Sequence, residues 1–393
     1  MDLELIRNKA DGYFDYMVEV RRHLHRNPEL SAKEYATQGY VRELLDGDGI
    51  FNQSIADTGV LAIIEGGLPG KVVGLRADMD ALPITESTGG GCVSSAPGIM
   101  HACGHDAHTA IQIGVARFFQ ENRRHMPGTI KLFFQPAEET VGGVKRMMDE
   151  GCMENPSVDF VIGLHVSTAI SYDRVEIKYG TINASTNSLR ITVKGKPGHA
   201  AYPDRCVDPV VISAQLITTL QSIVSRNVSP LDSAVLTFGK INGGTKGNII
   251  ADAVTLEGTV RTSNSDVKRV VFKKIEDITR GVVNSMGGTC GIDYLDGGYP
   301  PVINDTFTIN TIKAAAAEYL GAEKIVLGDR MSMGGEDFSF FSEKAKTAFY
   351  NIGCKVEGRE PYLQHTPEFE LDERCLKTGF AVQVLSTLKL LKP

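Results

Sequence analysis

Apolar and polar positions along this chain follow two different periods. Residues 4–22 carry apolar side chains at helical spacing and run into Arg21-Arg22-His23-Leu24-His25-Arg26-Asn27-Pro28, where the proline breaks the pattern. Ser31-Ala32-Lys33-Glu34 has the spacing of a capping box and predicts that a second helix opens there. Lys71–Arg76 reads as a buried strand leading straight into Ala77-Asp78-Met79-Asp80. A glycine-rich stretch, Thr88-Gly89-Gly90-Gly91, precedes Met100–His108, and beyond it Ile111, Val115, Phe118 and Phe119 fall on one helical face. Thr129–Phe134 is a strand that ends at Gln135-Pro136-Ala137-Glu138-Glu139, and Phe160–Leu164 is a strand that ends at His165. Strands alternating with helices predict a mostly parallel α/β sheet. Ligands of such sheets bind beyond the carboxyl ends of the strands, where Asp80, Glu138, Glu139 and His165 would emerge together.

The period changes after about residue 184. Leu189–Lys194 alternates like a half-buried strand, Val210–Val224 is a strongly apolar helix, and Ala234–Ile241 and Val254–Arg261 are strands. Asp266–Met286 is an amphipathic helix and Gly291–Tyr294 a short strand. The order β-α-β-β-α-β is the ferredoxin-like plan. The chain is therefore expected to hold a discontinuous α/β domain, residues 1–183 and 298–393, with an α+β domain inserted over 184–297.

Bulk properties narrow the function. A chain of 393 residues exceeds one ordinary core. A net charge of −7 argues against nucleic acid or an anionic membrane as main partner, though not against a small anionic substrate. The seven cysteines are odd in number and scattered, with no paired zinc-ribbon spacing, which predicts reduced thiols and a cytoplasmic location. The first residues lack a basic and apolar leader pattern, and no apolar run is long enough to span a bilayer, so secretion and membrane insertion are not expected.

The densest chemistry is Met100-His101-Ala102-Cys103-Gly104-His105-Asp106-Ala107-His108. Soft sulfur beside imidazole nitrogen suits a borderline cation such as zinc. The candidate metal donors are Cys103, His105, Glu139, His165 and His365. Five donors exceed a closed tetrahedral site and fit two divalent ions, Zn²⁺ or Mn²⁺, about 3.5–4 Å apart with one bridging donor, for which the Cys103 thiolate is a candidate, and one shared water. With Glu139 spent as a ligand, Glu138 is left to act as general base and pass a proton to a leaving amine. Asp80 is expected to orient a ligand histidine or to bridge toward the metals. His101 and His108 read as support or capping groups, and His23, His25 and His125 as structural.

These segments resemble the dinuclear amidohydrolases of the aminoacylase and zinc carboxypeptidase group. The nearest branch contains hippurate hydrolase, auxin-conjugate hydrolases, N-acetyldiaminopimelate deacetylase and N-acyl-amino-acid amidohydrolases. The resemblance runs through Arg22–His25 with Pro28–Ser31, Arg76–Pro83, Met100–His108, Phe134–Glu139, Gly163–Val166, Gly198–Ala201, Gly334–Phe338 and His365–Pro367. It implies a zinc-exopeptidase-like catalytic domain with a lid and dimerisation domain, a homodimer, and hydrolysis of the amide of an N-acyl amino acid. It also implies that Cys103, His105, Glu139, His165 and His365 bind metal, that Glu138 is the base, that His199 stabilises the oxyanion, and that Asn248 and Arg261 hold the substrate carboxylate. A dipeptidase or carboxypeptidase with the same metal site, a metal-binding protein without catalysis, and a hydrolase with Cys103 as nucleophile are the competing readings.

Overall fold

The computed structural model describes every residue except Met1, Gly90, Val141, Asp296 and Gly297, so the middle of the glycine-rich stretch lies outside the described residues. The chain divides into two compact units, one of Met1–Gly180, Ile303–Asp329 and Phe340–Pro393, the other of Thr181–Val302 and Arg330–Ser339.

The first unit is built on an eight-stranded sheet. Across it run Phe51–Ile55, Gly59–Glu65, Pro127–Gln135, Leu68–Asp78, Phe160–Ser171, Lys346–Lys355, Val175–Ile177 and Ile325–Leu327. The middle four strands are mutually parallel, as the strand–helix alternation predicts, and antiparallel pairs lie to either side. Register decides which ends meet. Asp78 pairs with Gln135, and Arg76 pairs with Gly163, so Asp80, Glu138 and His165 all lie within a few residues of one sheet edge.

The helix His105–Asn122 packs against the helices Phe14–Arg26 and Cys375–Leu390. Its residues His105–Ala116 are buried without exception, so this helix is a core element rather than an amphipathic surface one. Phe118 closes the layer, meeting Phe119 and Phe380 edge to face at 5.4 and 5.9 Å.

Three local expectations are corrected. The amino-terminal helical pattern is two helices, Leu3–Gly12 and Phe14–Arg26. The capping box at Ser31 does not form: the next helix is Tyr35–Gly47, its Glu34 cap residue makes no side-chain cap, and Glu29 instead accepts from the amides of Ala36 and Thr37 at 3.1 and 2.8 Å. The strand expected to end at His165 continues to Ser171, because Lys346–Lys355 pairs alongside it beyond His165.

In the second unit the strands Ser185–Lys194, Ala234–Gly243, Ala253–Thr262 and Thr289–Tyr294 form an antiparallel sheet in the order second, third, first, fourth. With the helices Pro209–Arg226 and Ser265–Ser285 this is the ferredoxin-like β-α-β-β-α-β arrangement. Its own core gathers Leu189, Ile191, Leu216, Leu220, Leu256 and Ile275. Asp208 caps the first helix through the amides of Val210 and Val211, and Asn264 caps the second through Val267.

Truncating Phe118 to alanine removes a buried ring from the contact between the central helix and Phe380. Urea unfolding is expected to show a loss of about 3–5 kcal/mol.

Candidate active site

The edge where the parallel strands end collects the acids and imidazoles. The turn at Gly104 starts the central helix. Its φ is +92°, and a Cβ there would sit 2.3 Å from Val166 Cγ2, so only glycine brings Cys103 and His105 this close to the His165 strand. Ala137, buried and with φ +55°, redirects the chain after Pro136, and His365 also stands in the left-handed region at φ +63°.

The side chains that result are interlocked. Ligand atoms of Cys103, His105 and His165 lie within 4.8 Å of one another, as do those of Cys103, Glu139 and His365, and those of His105, Glu138 and Glu139. Cys103 Sγ is 3.4 Å from His165 Nε2. Glu139 Oε1 is 3.2 Å from His365 Nε2 and 3.9 Å from His105 Nε2. The structure thus brings together all five expected donors and Glu138, with Cys103 common to two of the groups.

The imidazoles are oriented from behind. His105 Nδ1 faces the Asp80 carbonyl at 2.9 Å and the Asp80 carboxylate at 3.3 Å, both acceptors, so Nδ1 carries a hydrogen and Nε2 is the nitrogen left to the cluster. His165 Nδ1 likewise donates to the Val166 carbonyl at 2.8 Å, which leaves Nε2 toward Cys103. Asp80, 1 % exposed, also accepts from Ser31 Oγ at 2.6 Å and from the Glu139 amide at 3.0 Å.

Electrostatics favour a cation at this point. Burial pushes the Cys103 thiol up to about 12, opposed by His105. Burial also pushes the His105 imidazole down, but Asp78 and then Cys103 outweigh it and carry His105 well above its ordinary range. The buried Asp78 carboxylate, 3.6 Å from His105 Nε2, would favour a metal cation there as it favours the proton. Burial and the neighbouring His108 keep His165 well below the ordinary imidazole range, in the neutral form a metal needs. Among the described residues, buried His105 Nε2 has no hydrogen-bond partner, and buried Glu139 Oε1, 3.9 Å from it, has none beyond the ion-pair contact with His365. A thiol, three imidazoles and a carboxylate with such orphaned atoms fit divalent cations well.

Asp78 and Gln364 are participants that sequence reasoning missed. Asp78 is buried, pairs with Arg76 at 2.7 Å and accepts from His108 Nδ1 at 2.6 Å. His108 Nε2 accepts from the Val166 amide at 2.9 Å, so this histidine supports the backbone beside His165. Gln364 donates to the Val166 carbonyl from the other side at 2.8 Å. The position of Asp78 two residues before Asp80, at the end of a predicted strand, was the available signal. His25, expected to be structural, lies 2.8 Å from Asp106 and 3.3 Å from Glu86, while buried His101 is pushed down to about 4 by desolvation.

His199, Asn248 and Arg261 belong to the second unit. His199 and Asn248 are neighbours at a short antiparallel two-stranded pairing: His199 pairs with Ile249, and the Ala200 amide donates to the Asn248 carbonyl at 3.1 Å. His199 Nδ1 accepts from the Ala201 amide at 3.1 Å, which puts the hydrogen on exposed Nε2. Arg261 is half-buried, with Nε donating to Thr259 Oγ1 at 3.1 Å.

Residues 74–387 match the description peptidase family M20/M25/M40. The chain belongs to this family. It is 39 % identical over 361 residues to the N-acetyl-L-cysteine deacetylase of Bacillus subtilis, covering 92 % of this chain and 84 % of that protein. The IAA-amino acid hydrolase ILR1-like 4 of Arabidopsis thaliana is 38 % identical, over 94 % of this chain and 84 % of its own. Thermostable carboxypeptidase 2 of Saccharolobus solfataricus is 35 % identical over 99 % of each. Among solved structures, the Bacillus subtilis YXEP protein, a dinuclear metal binding peptidase, superposes with TM-score 0.84 at 31 % identity, covering 97 % of this chain and 99 % of that one. The fold class and the family expected from sequence are both borne out.

Replacing Gly104 by alanine forces a side chain into Val166 and shifts Cys103 against His165. A Co²⁺ titration is expected to show affinity weakened by about 10-fold or more, with the far-ultraviolet circular dichroism unchanged. Unaltered affinity would mean that the turn tolerates a side chain.

Proposed function

We propose that this member of the peptidase family is a metal-dependent amidohydrolase that releases an amino acid and a carboxylic acid from an N-acyl amino acid. The observation that carries the reading is the convergence of Cys103, His105, Glu139, His165 and His365 on one strand-end cluster with Glu138 beside it. Relatives named deacetylase and IAA-amino acid hydrolase support the substrate class.

In this reading those five residues would hold two divalent ions, Zn²⁺ or Mn²⁺, which would supply Lewis-acid activation of water and of the amide carbonyl. The dinuclear character of a structural relative supports the count. Glu138 takes the proton of the attacking water and delivers it to the departing nitrogen. Asp80 holds His105 through Nδ1 and the Glu139 amide through its other oxygen, so both the imidazole and the carboxylate are preset before substrate arrives.

Residues 184–297 are assigned the part of a lid and dimer contact, with residues 1–183 and 298–393 as the catalytic domain. His199 offers its Nε2–H to the developing oxyanion, and Asn248 and Arg261 hold the substrate carboxylate. What supports this is the chemistry of the three groups, above all the planar fork of Arg261. Half-exposed Val210 and Val211 on the helix Pro209–Arg226 support a homodimer. All seven cysteines are free, which supports a cytoplasmic setting, and among the described residues no helix is long and apolar enough to cross a membrane.

The carboxypeptidase relative gives the second reading its footing. A panel of acetyl, benzoyl and indolyl amino acids against dipeptides, run on chelated and metal-reconstituted enzyme, separates the two by kcat/KM. Glu138→Gln is expected to lower kcat by about 10²–10⁴-fold with metal content retained. Full turnover in that variant would remove Glu138 from the base role, and activity surviving chelation would favour a thiol nucleophile instead.

A further inference from the structure

Glu34 has no part in the chemistry described so far, yet its segment, Pro28–Glu34, reaches the turn of Glu138 and Glu139 twice. Glu34 is fully buried, and its carboxylate is directed away from its own helix. Oε1 accepts from the Ala137 amide at 2.8 Å and from the Ala32 amide at 2.9 Å, and Oε2 accepts from Thr58 Oγ1 at 2.5 Å. Ala32 and Ala137 both stand at positive φ, 60° and 55°, where residues other than glycine are uncommon. Three residues earlier, Ser31 donates to Asp80, whose same oxygen accepts from the Glu139 amide. The Glu29 carbonyl accepts from the Ala81 amide at 2.8 Å, and Leu30 bridges Ala81, which locks this segment to the chain that carries Asp80.

From this geometry we infer that Glu34 is a positioning residue for the reaction: its carboxylate holds the left-handed turn at Ala137 that aims Glu138 and Glu139. The inference rests on the roles proposed above for those two acids. Adjacent residues of an extended strand point to opposite faces, so both acids serve one site only if the chain turns between Pro136 and Glu139. An alanine does not hold that turn by its own preference; an outside acceptor for its amide does. Asp80 secures the far end of the same turn through the Glu139 amide, and Glu34 secures the near end.

The chemistry of the pocket makes an unusual order of variants. In Glu34→Gln the amide oxygen still accepts from Ala137 and Ala32, and the amide nitrogen can donate to Thr58 Oγ1, whose hydroxyl is able to accept. Glu34→Asp keeps the charge but is one methylene shorter and withdraws the acceptor. Glu34→Met keeps the length and loses the acceptor. Thr58→Val removes one partner of the carboxylate while leaving both amide bonds.

Three readouts test this on the full-length, metal-loaded or Co²⁺-titrated protein: amide hydrogen exchange of the peptide spanning 136–139, Co²⁺ affinity and absorption spectrum, and kcat against KM. In Glu34→Asp and Glu34→Met, exchange is expected to speed up and Co²⁺ affinity to fall about tenfold, with kcat lowered by about 10–100-fold at little change in KM. Glu34→Gln should stay within about threefold of the parent in all three, and Thr58→Val should lose thermal stability without losing kcat. If Glu34→Met does not fold, the contrast between the Asp and Gln variants decides. The inference is overturned if Glu34→Asp matches the parent in exchange and Co²⁺ binding, or if Thr58→Val loses kcat as the Asp variant does. Exchange and Co²⁺ binding need no substrate, so a parent protein inactive on the whole panel would sink the functional reading and leave this one still decided.

Discussion

Two neighbouring acids cannot face one site from a straight strand, and the active region of this protein is organised around that constraint. Pro127–Gln135 delivers the chain to the sheet edge, and Ala137 turns it in the left-handed region so that Glu138 and Glu139 both approach His105. Such a turn costs on the order of 1–3 kcal/mol for a residue with a side chain, so it persists only where surroundings over-determine it. Here the surroundings are carboxylates brought from elsewhere in the chain: Glu34 on the Ala137 amide and Asp80 on the Glu139 amide. Gly143 adds a steric condition, since a Cβ there would overlap the Pro136 carbonyl at 1.8 Å.

Around that turn lies a concentration of buried charge. Arg76, Asp78, Asp80, Asp106, His105 and His108 are each about 1 % exposed or less. Removing so many polar groups from water is tolerated only when they satisfy one another. Arg76 joins Asp78, Asp78 receives His108, and His108 receives the Val166 amide, while Asp106 takes Arg21 and His25. These chains of partners end on the backbone beside the donors, and so the cost of burial is converted into fixed positions for His105 and His165.

Family membership and this geometry together restrict the chemistry to hydrolysis at an amide, and the relatives divide over what flanks that amide. A base and a metal centre set the reaction type, whereas selectivity comes from contacts remote from the reacting atoms.

Much of this was legible in the residues alone. The density of donors between Met100 and His108, the acid pair after Pro136, and strands ending in titratable residues identified the metal chemistry, and the change of period after 184 gave the second fold. These signals are local: donors close in sequence, or apolar positions at a regular spacing, survive in the chain without its fold. What needed the tertiary structure was every relation at long range. Ser31 and Glu34 have the spacing of a helix cap, but their partners are Asp80, Thr58 and Ala137, the last 103 positions away. The position of Asp78 at a strand end did not disclose that His108 would be its partner, and His165 lies within a strand rather than at its end because a neighbour 186 positions on in sequence, Asn351, pairs with it there. A hydrogen bond is decided by which groups are left without water in the folded chain, and the sequence carries no record of that until the packing exists.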